Sequence, residues 1–406
     1  TFSMLSCHSV KKMAAYWRSM PLKNSELRLD RTLACGQSFR WKETQTGEWT
    51  GVLGGLVWTL KQTATELFFR THPSFSVPSV KQEQAVTPEP LIQKGTLGKN
   101  FTKTEAHSSV GCVAEDLCDP VTVKSEVADL AVNSSHNEDY ERSLLENYFQ
   151  LHVDLGQLYQ TWAQADPNFE QTSQKFSGIR ILRQDPVECL FSFICSSNNN
   201  ISRITAMVNK LCSYYGKKIV EVEGIPYFSF PSVSALADDS VERTLRELGF
   251  GYRAKFISQT AQYIMTNHSE NWLLSLRDMD YDKAKDLLMK LPGVGGKVAD
   301  CVCLFSLDKT GAIPIDTHVW KIAARDYMPK LRQAKSLTDR LYQEIGDHFR
   351  SLWGEYAGWT HSVLFTADLR HFQETNDKGL PVKKEILKRS NKLAVEKDSK
   401  CTKKKR

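Results

Sequence analysis

The apolar positions of this 406-residue chain change their period once. Between Glu26 and about Thr71, β-rich runs at Phe39–Lys42, Trp49–Leu53, Leu56–Lys61 and Glu66–Thr71 follow one another, and Gly54-Gly55 between two of them is a two-residue hairpin signal. The pattern predicts a twisted antiparallel sheet. From Tyr140 the spacing turns helical. ERSLLENYFQL and LGQLYQTWAQ are amphipathic, with Asp154 placed to N-cap the second. Asp185-Pro186 opens a helix whose residues Val187 to Cys195 are nearly all apolar, so it is expected to be central and buried, and it ends on the polar run Ser196 to Asn200. Further on, YDKAKDLLMK repeats Ala284, Leu287, Leu288 and Leu291 at helical spacing. Pro292, Gly293, Gly295 and Gly296 then force a tight turn, and a second helix is expected to begin near Lys297. The expected fold class is α+β, an N-terminal antiparallel sheet domain packed on a mainly helical domain with a helix-hairpin-helix motif near 281–308.

Between these parts, residues 73–138 are dominated by Pro, Ser, Thr, Val, Glu and Lys, and cannot bury enough apolar surface to order themselves. The expected organisation is an N-terminal arm at 1–20, the sheet domain at 21–72, a disordered insertion at 73–138, the helical domain at 139–372 and a basic disordered tail at 373–406. Val80-Lys-Gln-Glu and Val123-Lys-Ser-Glu in the insertion fit a modifier-conjugation pattern at Lys81 and Lys124.

Charge alters the picture locally. The net charge is +6, but residues 383–406 hold eleven Lys/Arg against three Asp/Glu, so the rest sums to −2 and any basic footprint there must be local. The tail reads equally as a nuclear-localisation or DNA-tethering segment and as a merely solvated one. Ten scattered cysteines show no C-x-x-C pair and no zinc spacing, which predicts reduced thiols and no metal centre. No apolar run is long enough to span a membrane. The segment that starts at Thr1 has no clear signal-peptide core, and the true start is open. The sequons at Asn100 and Asn133 are therefore read as chance matches.

The Pro/Gly hairpin leaves unpaired N–H groups at the start of its second helix, an anion site that a DNA phosphate would fit. Two side chains beside it could do chemistry. A free lysine, with a pKa of about 10.4, is protonated and no nucleophile. Packed against apolar residues and near other cations, Lys297 would lose its proton more easily and could attack a sugar carbon to form a Schiff base. Asp316, following Ile313, Pro314 and Ile315, could stabilise the positive charge that develops on a sugar as its base leaves. Each has a plainer reading, Lys297 as a solvated helix-start lysine and Asp316 as an N-cap.

The combination of LPGVGGK with PIDTH resembles the helix-hairpin-helix, Gly/Pro-rich loop, Asp superfamily of DNA glycosylases, and CGQSFRW at Cys35–Trp41 resembles its 8-oxoguanine DNA glycosylase family. The resemblance implies Lys297 as Schiff-base nucleophile and Asp316 as the essential carboxylate. It implies that Gly36 offers its carbonyl to the N7 hydrogen of the oxidised base, that Phe365 stacks on that base and that Cys301 packs on its other face. The family's Gln that reads the pairing edge is His361 here, and Phe305 stands where the family usually has Met. A neutral imidazole cannot copy an amide, so activity is expected to vary more with pH between 5 and 8. Asn198 and Arg203 would hydrogen-bond the orphaned cytosine, Tyr252 would wedge between bases and Arg253 would contact the cytosine. Gly293, Gly295 and His318 would meet DNA phosphates. The implied function is excision of 8-oxoguanine opposite cytosine with associated AP lyase activity. The partner would be double-stranded DNA carrying that pair, with repair proteins as further partners, a monomeric state and no membrane. No cofactor or catalytic metal is expected, although hairpin carbonyls could hold a cation. Localisation is expected in the nucleus, with a mitochondrial pool as the alternative. Two rivals remain at this point: a related glycosylase for another oxidised base, and a non-catalytic helix-hairpin-helix DNA-binding protein.

Overall fold

The computed structural model describes residues 16–72, 139–269 and 271–377. The chain falls into two units, Thr1–Ser74 with Ser143–Arg406, and Phe75–Arg142. The second is described only over its helical residues 139–142, and everything below concerns the first. The expected insertion at 73–138, with Lys81, Lys124 and both sequons, and the basic tail beyond 377 lie outside the described residues.

Five strands form one antiparallel sheet: β1 (Arg18–Pro21), β2 (Lys42–Gln45), β3 (Glu48–Leu53), β4 (Leu56–Gln62) and β5 (Glu66–His72), in the order β1-β5-β4-β3-β2. Two local expectations need correction. Residues 18–20 are not part of a loose arm, because Arg18 to Pro21 pair with Phe69 to Glu66 along β5. Phe39 and Trp41 are not strand residues either. They precede β2 and are buried as core anchors. The alternation along β4 and β5 sends Trp58, Leu60, Leu67 and Phe69 to one face, where they pack with Leu145, Phe149 and Leu182. The other face carries Thr50, Thr59 and His72, with Thr59 Oγ1 2.8 Å from His72 Nε2. A two-stranded hairpin, β6 (Lys218–Val222) and β7 (Ile225–Phe228), lies against this polar face.

The helical part includes α1 (Leu29–Thr32), α2 (Leu155–Ala165), α3 (Pro186–Ile194), α4 (Ile201–Tyr215), α5 (Arg253–Asn267), α6 (Tyr281–Met289), α7 (Gly296–Ser306), α8 (Thr317–Ile322), α9 (Asp339–Trp353) and α10 (Ala357–Asp368), with further short helices such as Pro167–Ser173, Val241–Glu247 and Arg370–Asp377. Their starts follow from local chemistry. Asp154 caps α2 by accepting from Gln157 N at 2.9 Å. Asp185 caps α3 by accepting from Val187 N and Glu188 N, with Pro186 in the first turn. As the apolar run requires, α3 is central, and α7 packs along it.

Sheet and helices are joined by buried polar bonds. Arg180, 1% exposed, donates to Glu26 Oε2 at 2.6 Å and to the carbonyls of Glu26, Gln150 and Val153. Glu26 in turn accepts from the first N–H groups of α2, at Leu155 and Gly156. Gln37 is bonded at both ends, donating to the carbonyls of Thr32 and Arg180 and accepting from Leu182 N. The segment holding Gly36 is thereby fixed to the helical body. Among the described residues, no helix is long and apolar enough to cross a membrane.

Candidate active site

The α6–α7 hairpin is held from below. Leu291 and Val294 are buried, and Thr260 Oγ1 donates to the Pro292 carbonyl at 2.7 Å. Gly293 adopts φ +77°, and a Cβ there would lie 2.4 Å from Phe256 Cγ, so the turn admits only glycine. Gly295 is the N-cap of α7 and supplies no side-chain bond to its first turn. Gly293, Gly295 and Gly296 line an open cleft of about 860 Å³, together with Asn198, Lys297, Asp316 and His318. The sequence expectation of a free helix N-terminus facing a groove therefore has a geometric basis, with α7 starting one residue earlier than anticipated.

Lys297 stands in the first turn of α7, half-buried. Its Nζ donates to Ser196 Oγ at 3.1 Å and lies 4.9 Å from the centroid of the Phe193 ring. Ser196 was read from the sequence only as part of a polar run. Its hydroxyl donates to the Phe193 carbonyl at 2.7 Å, which fixes its oxygen for the lysine. Asp316 follows the buried segment Ala312–Ile315 and caps α8, Oδ1 accepting from His318 N at 2.8 Å and Val319 N at 2.9 Å. The plain N-cap reading is thus correct for one carboxylate oxygen. Among the described residues no hydrogen bond reaches Oδ2.

Lys297 and Asp316 also border a second, smaller cavity of about 50 Å³, whose wall includes Gly36, Cys301, Phe305, His361 and Phe365. The two reactive candidates are shared by cleft and cavity, so they stand where one opens into the other. At about 50 Å³ the cavity has room for a few waters but not for a purine, so admitting a base requires its walls to move. Phe305 stacks on Phe193 with centroids 5.4 Å apart. Phe365, half-buried, lies 6.2 Å from the His361 ring and meets His318 edge-on at 6.0 Å. Burial pushes the Cys301 thiol up to about 12, against the opposing pull of the Lys297 ammonium.

His361 corrects one expectation. It is 6% exposed, neither ring nitrogen has a hydrogen-bond partner among the described residues, and burial lowers its pKa to about 4. The imidazole is neutral throughout pH 5 to 8, so the titration expected in that window does not come from this side chain.

The polar run after α3 divides its labour. Asn199 donates to the Cys195 carbonyl and Asn200 caps α4 by accepting from Arg203 N, while Asn198, at φ +46°, is exposed on the cleft. Arg203 is exposed near the start of α4, and Tyr252 is 48% exposed with its hydroxyl donating to the Ser197 carbonyl at 3.0 Å. Arg253, expected at the cytosine, is not available there. It is 4% exposed, and its guanidinium donates to the carbonyls of Ser197 and Asn198 and stacks 4.6 Å from the Tyr252 ring. It braces the loop that presents Asn198. Of the expected residues, Arg203, Tyr252 and Arg253 line neither cavity. No group of three or more His, Cys, Asp or Glu that could hold a metal occurs among the described residues.

Comparison with known proteins gives a family for the first half and the superfamily that contains DNA glycosylases for the second. Residues 19–190 match the N-terminal domain of 8-oxoguanine DNA glycosylase, and residues 191–347 match the HhH-GPD superfamily of base excision DNA repair proteins. The chain is 34% identical over 355 residues to N-glycosylase/DNA lyase OGG1 of Arabidopsis thaliana, covering 87% of this chain and 80% of that one. It is 42% identical over 264 residues to the N-glycosylase/DNA lyase of Saccharomyces cerevisiae, covering 59% and 70%. The 8-oxoguanine glycosylase/lyase of Clostridium acetobutylicum, solved with double-stranded DNA containing cytosine opposite 8-oxoguanine, superposes with a TM-score of 0.63 at 25% identity, over 87% of this chain and 94% of that one. A hairpin carrying Lys297 beside Asp316, a segment between α1 and β2 that brings Gly36 to the same cavity, and matches to this family along most of the chain lead to one assignment: the chain belongs to the 8-oxoguanine DNA glycosylase family of N-glycosylase/DNA lyases.

Proposed function

We propose that the protein removes 8-oxoguanine paired with cytosine from double-stranded DNA, using Lys297 as nucleophile, and then cleaves the strand. The observation that carries this is the position of Lys297 and Asp316 on the walls of both an open, hairpin-lined cleft and a smaller cavity lined by Phe193, Phe305 and Phe365. The cleft suits the duplex, with phosphates at Gly293, Gly295 and His318. The cavity, once opened, suits a single extruded base between Cys301 and Phe365, with Gly36 and His361 at its edges. Asn198 and Arg203 would meet the orphaned cytosine and Tyr252 the vacated stack.

In the first step the Nζ lone pair forms a bond to C1′ as the bond from C1′ to the base breaks, and the base departs with that electron pair. The carboxylate of Asp316 stabilises the cationic sugar, with Oδ2 free to act while Oδ1 holds the helix. Loss of the amine proton and opening of the sugar ring give an imine. A C2′ proton is then lost and the 3′ phosphate leaves by β-elimination. The solved relative's cytosine-containing complex supports the choice of opposite base. His361 and Phe305 favour a second reading, excision of another oxidised base in the same manner.

Borohydride tests the proposal. Full-length protein incubated with an 8-oxoguanine:cytosine duplex and borohydride is expected to give a covalent adduct. Lys297→Gln is expected to abolish it while retaining DNA binding. An adduct that survives this substitution refutes Lys297 as nucleophile, and stronger trapping on an oxidised pyrimidine duplex favours the second reading.

A further inference from the structure

A side chain with no role so far touches both neighbours of the reactive pair. Tyr342 lies on α9, remote in sequence from either. Its ring lies against the start of α7, where a Cβ built on Gly296 would be 3.6 Å from Tyr342 Cζ, and Gly296 immediately precedes Lys297. Its hydroxyl accepts from Ile315 N at 3.2 Å, and Ile315 immediately precedes Asp316. The same hydroxyl donates to Asp300 Oδ2 at 2.5 Å. Asp300 is 0% exposed and sits on α7 one turn beyond Lys297. Its carboxylate also accepts from Tyr281 Oη at 2.7 Å and from Lys285 Nζ at 3.0 Å, both on α6.

We infer that Tyr342 is a positioning residue, bridging the helix of Lys297 to the segment of Asp316 and setting the separation of the two groups. The inference rests on the reading of Lys297 and Asp316 given above. The physical case is that α7 and the segment 312–316 are joined in sequence only through the loop after α7, which leaves their relative offset adjustable. A hydroxyl that accepts from one and donates to the other fixes it. A buried carboxylate with three donors on it is rigid, because moving any member leaves a charge or a polar group unpaired. Burial raises the Asp300 pKa, and the Lys285 ammonium 3.0 Å away works against that shift by compensating the carboxylate's charge. Reaction geometry is sensitive at this scale, and a displacement of roughly 1 Å can slow a step on the order of 100-fold.

The experiment compares wild type, Tyr342→Phe, Asp316→Asn and the double variant in full-length protein, by single-turnover base release and borohydride trapping on an 8-oxoguanine:cytosine duplex, with duplex affinity and thermal melting measured in parallel. Tyr342→Phe keeps the ring and removes the bridge. It is expected to slow base release on the order of 10- to 100-fold, with affinity changed less than about twofold. Added to Asp316→Asn, it is expected to slow the reaction little further, because its effect passes through Asp316. Should Tyr342→Phe fail to fold, Asp300→Asn removes the charged anchor of the same bridge, and slowing with unchanged affinity is again expected. A purely structural tyrosine would lower the melting temperature and leave the single-turnover rate unchanged below the melt. That result, or full multiplicative slowing in the double variant, overturns the inference. Absence of any wild-type adduct would instead refute the underlying reading of Lys297.

Discussion

Lys297 is held by Ser196 through a bond in which the lysine donates, Nζ to Oγ at 3.1 Å. The serine's own hydrogen is directed at the Phe193 carbonyl, so its oxygen presents only lone pairs to the amine. This contact uses an N–H and leaves the lone pair for carbon, so on the proposed mechanism it persists as Nζ bonds to C1′. As Nζ gains positive charge its N–H becomes a stronger donor, and an interaction stronger in the transition state than in the ground state speeds the step. Ser196→Ala is therefore expected to slow single-turnover adduct formation by several-fold, corresponding to about 1 kcal/mol for one hydrogen bond. Affinity for the duplex is expected to stay the same. Quench-flow trapping measures this, and a faster variant would show that Ser196 restrains the amine instead of aiding it.

Asp316 has two separable duties, and two substitutions part them. Asparagine caps a helix as well as aspartate does, so Asp316→Asn is expected to keep the bonds to His318 N and Val319 N and to melt like wild type. It removes the charge, and base release is expected to fall on the order of 10²- to 10³-fold. Asp316→Ala is expected to be similarly slow and in addition to lose about 0.5–2 kcal/mol of stability in urea titration. Equal stability of the two variants would show that the cap contributes nothing.

The buried His361 predicts a stability signature and no kinetic one. In the unfolded chain its imidazole takes a proton near pH 6.5, whereas the folded protein resists until about 4. Between those values the unfolded state binds more protons, so stability falls as pH falls and levels off below about 4. Each pH unit in the window is worth about 1.4 kcal/mol, so moving from pH 7.5 to 4.5 is expected to cost wild type about 2–3 kcal/mol more than His361→Gln. Urea midpoints at the two pH values check this. The ratio of variant to wild-type excision rate is expected to be flat between pH 5 and 8.

Gly293 tests the hairpin. Gly293→Ala places a methyl 2.4 Å from Phe256 Cγ on a backbone at φ +77°. Strain and overpacking together predict a loss of about 2–4 kcal/mol. Duplex binding is expected to weaken as the turn shifts. Phe256→Ala in that background removes the Cγ and Cδ2 contacts but leaves its own Cβ 2.6 Å away and the dihedral unchanged, so at most a small recovery of the urea midpoint is expected.

What could be read in the sequence was what local pattern encodes. The apolar run after Asp185-Pro186, the Asp154 and Asp316 caps and the glycine hairpin are each set by residues within a turn of one another, and all stand in the structure. The strand at Arg18–Pro21 was not legible because it is too short to alternate and is specified by its partner β5. The β6–β7 hairpin escaped because its value lies in covering Thr50 and Thr59, which the linear pattern places nowhere near it. For the site, residue identities could be carried from the resemblance, but surroundings could not. That Arg253 turns inward to carbonyls, and that His361 is too buried to titrate near neutrality, depend on neighbours distant in sequence.

The Gly36 segment is stitched into the body by the Gln37 amide, and its backbone sits at φ +86° with Ile201 2.8 Å from where a Cβ would stand. On the proposed reading Gly36 recognises the base through its main chain, which has no side chain to exchange. Retuning which lesion this wall tolerates therefore falls to the residues around it, above all His361 and Phe305, and a library built to alter substrate choice would do better to leave Cys35-Gly36-Gln37 untouched and vary the opposite side of the cavity.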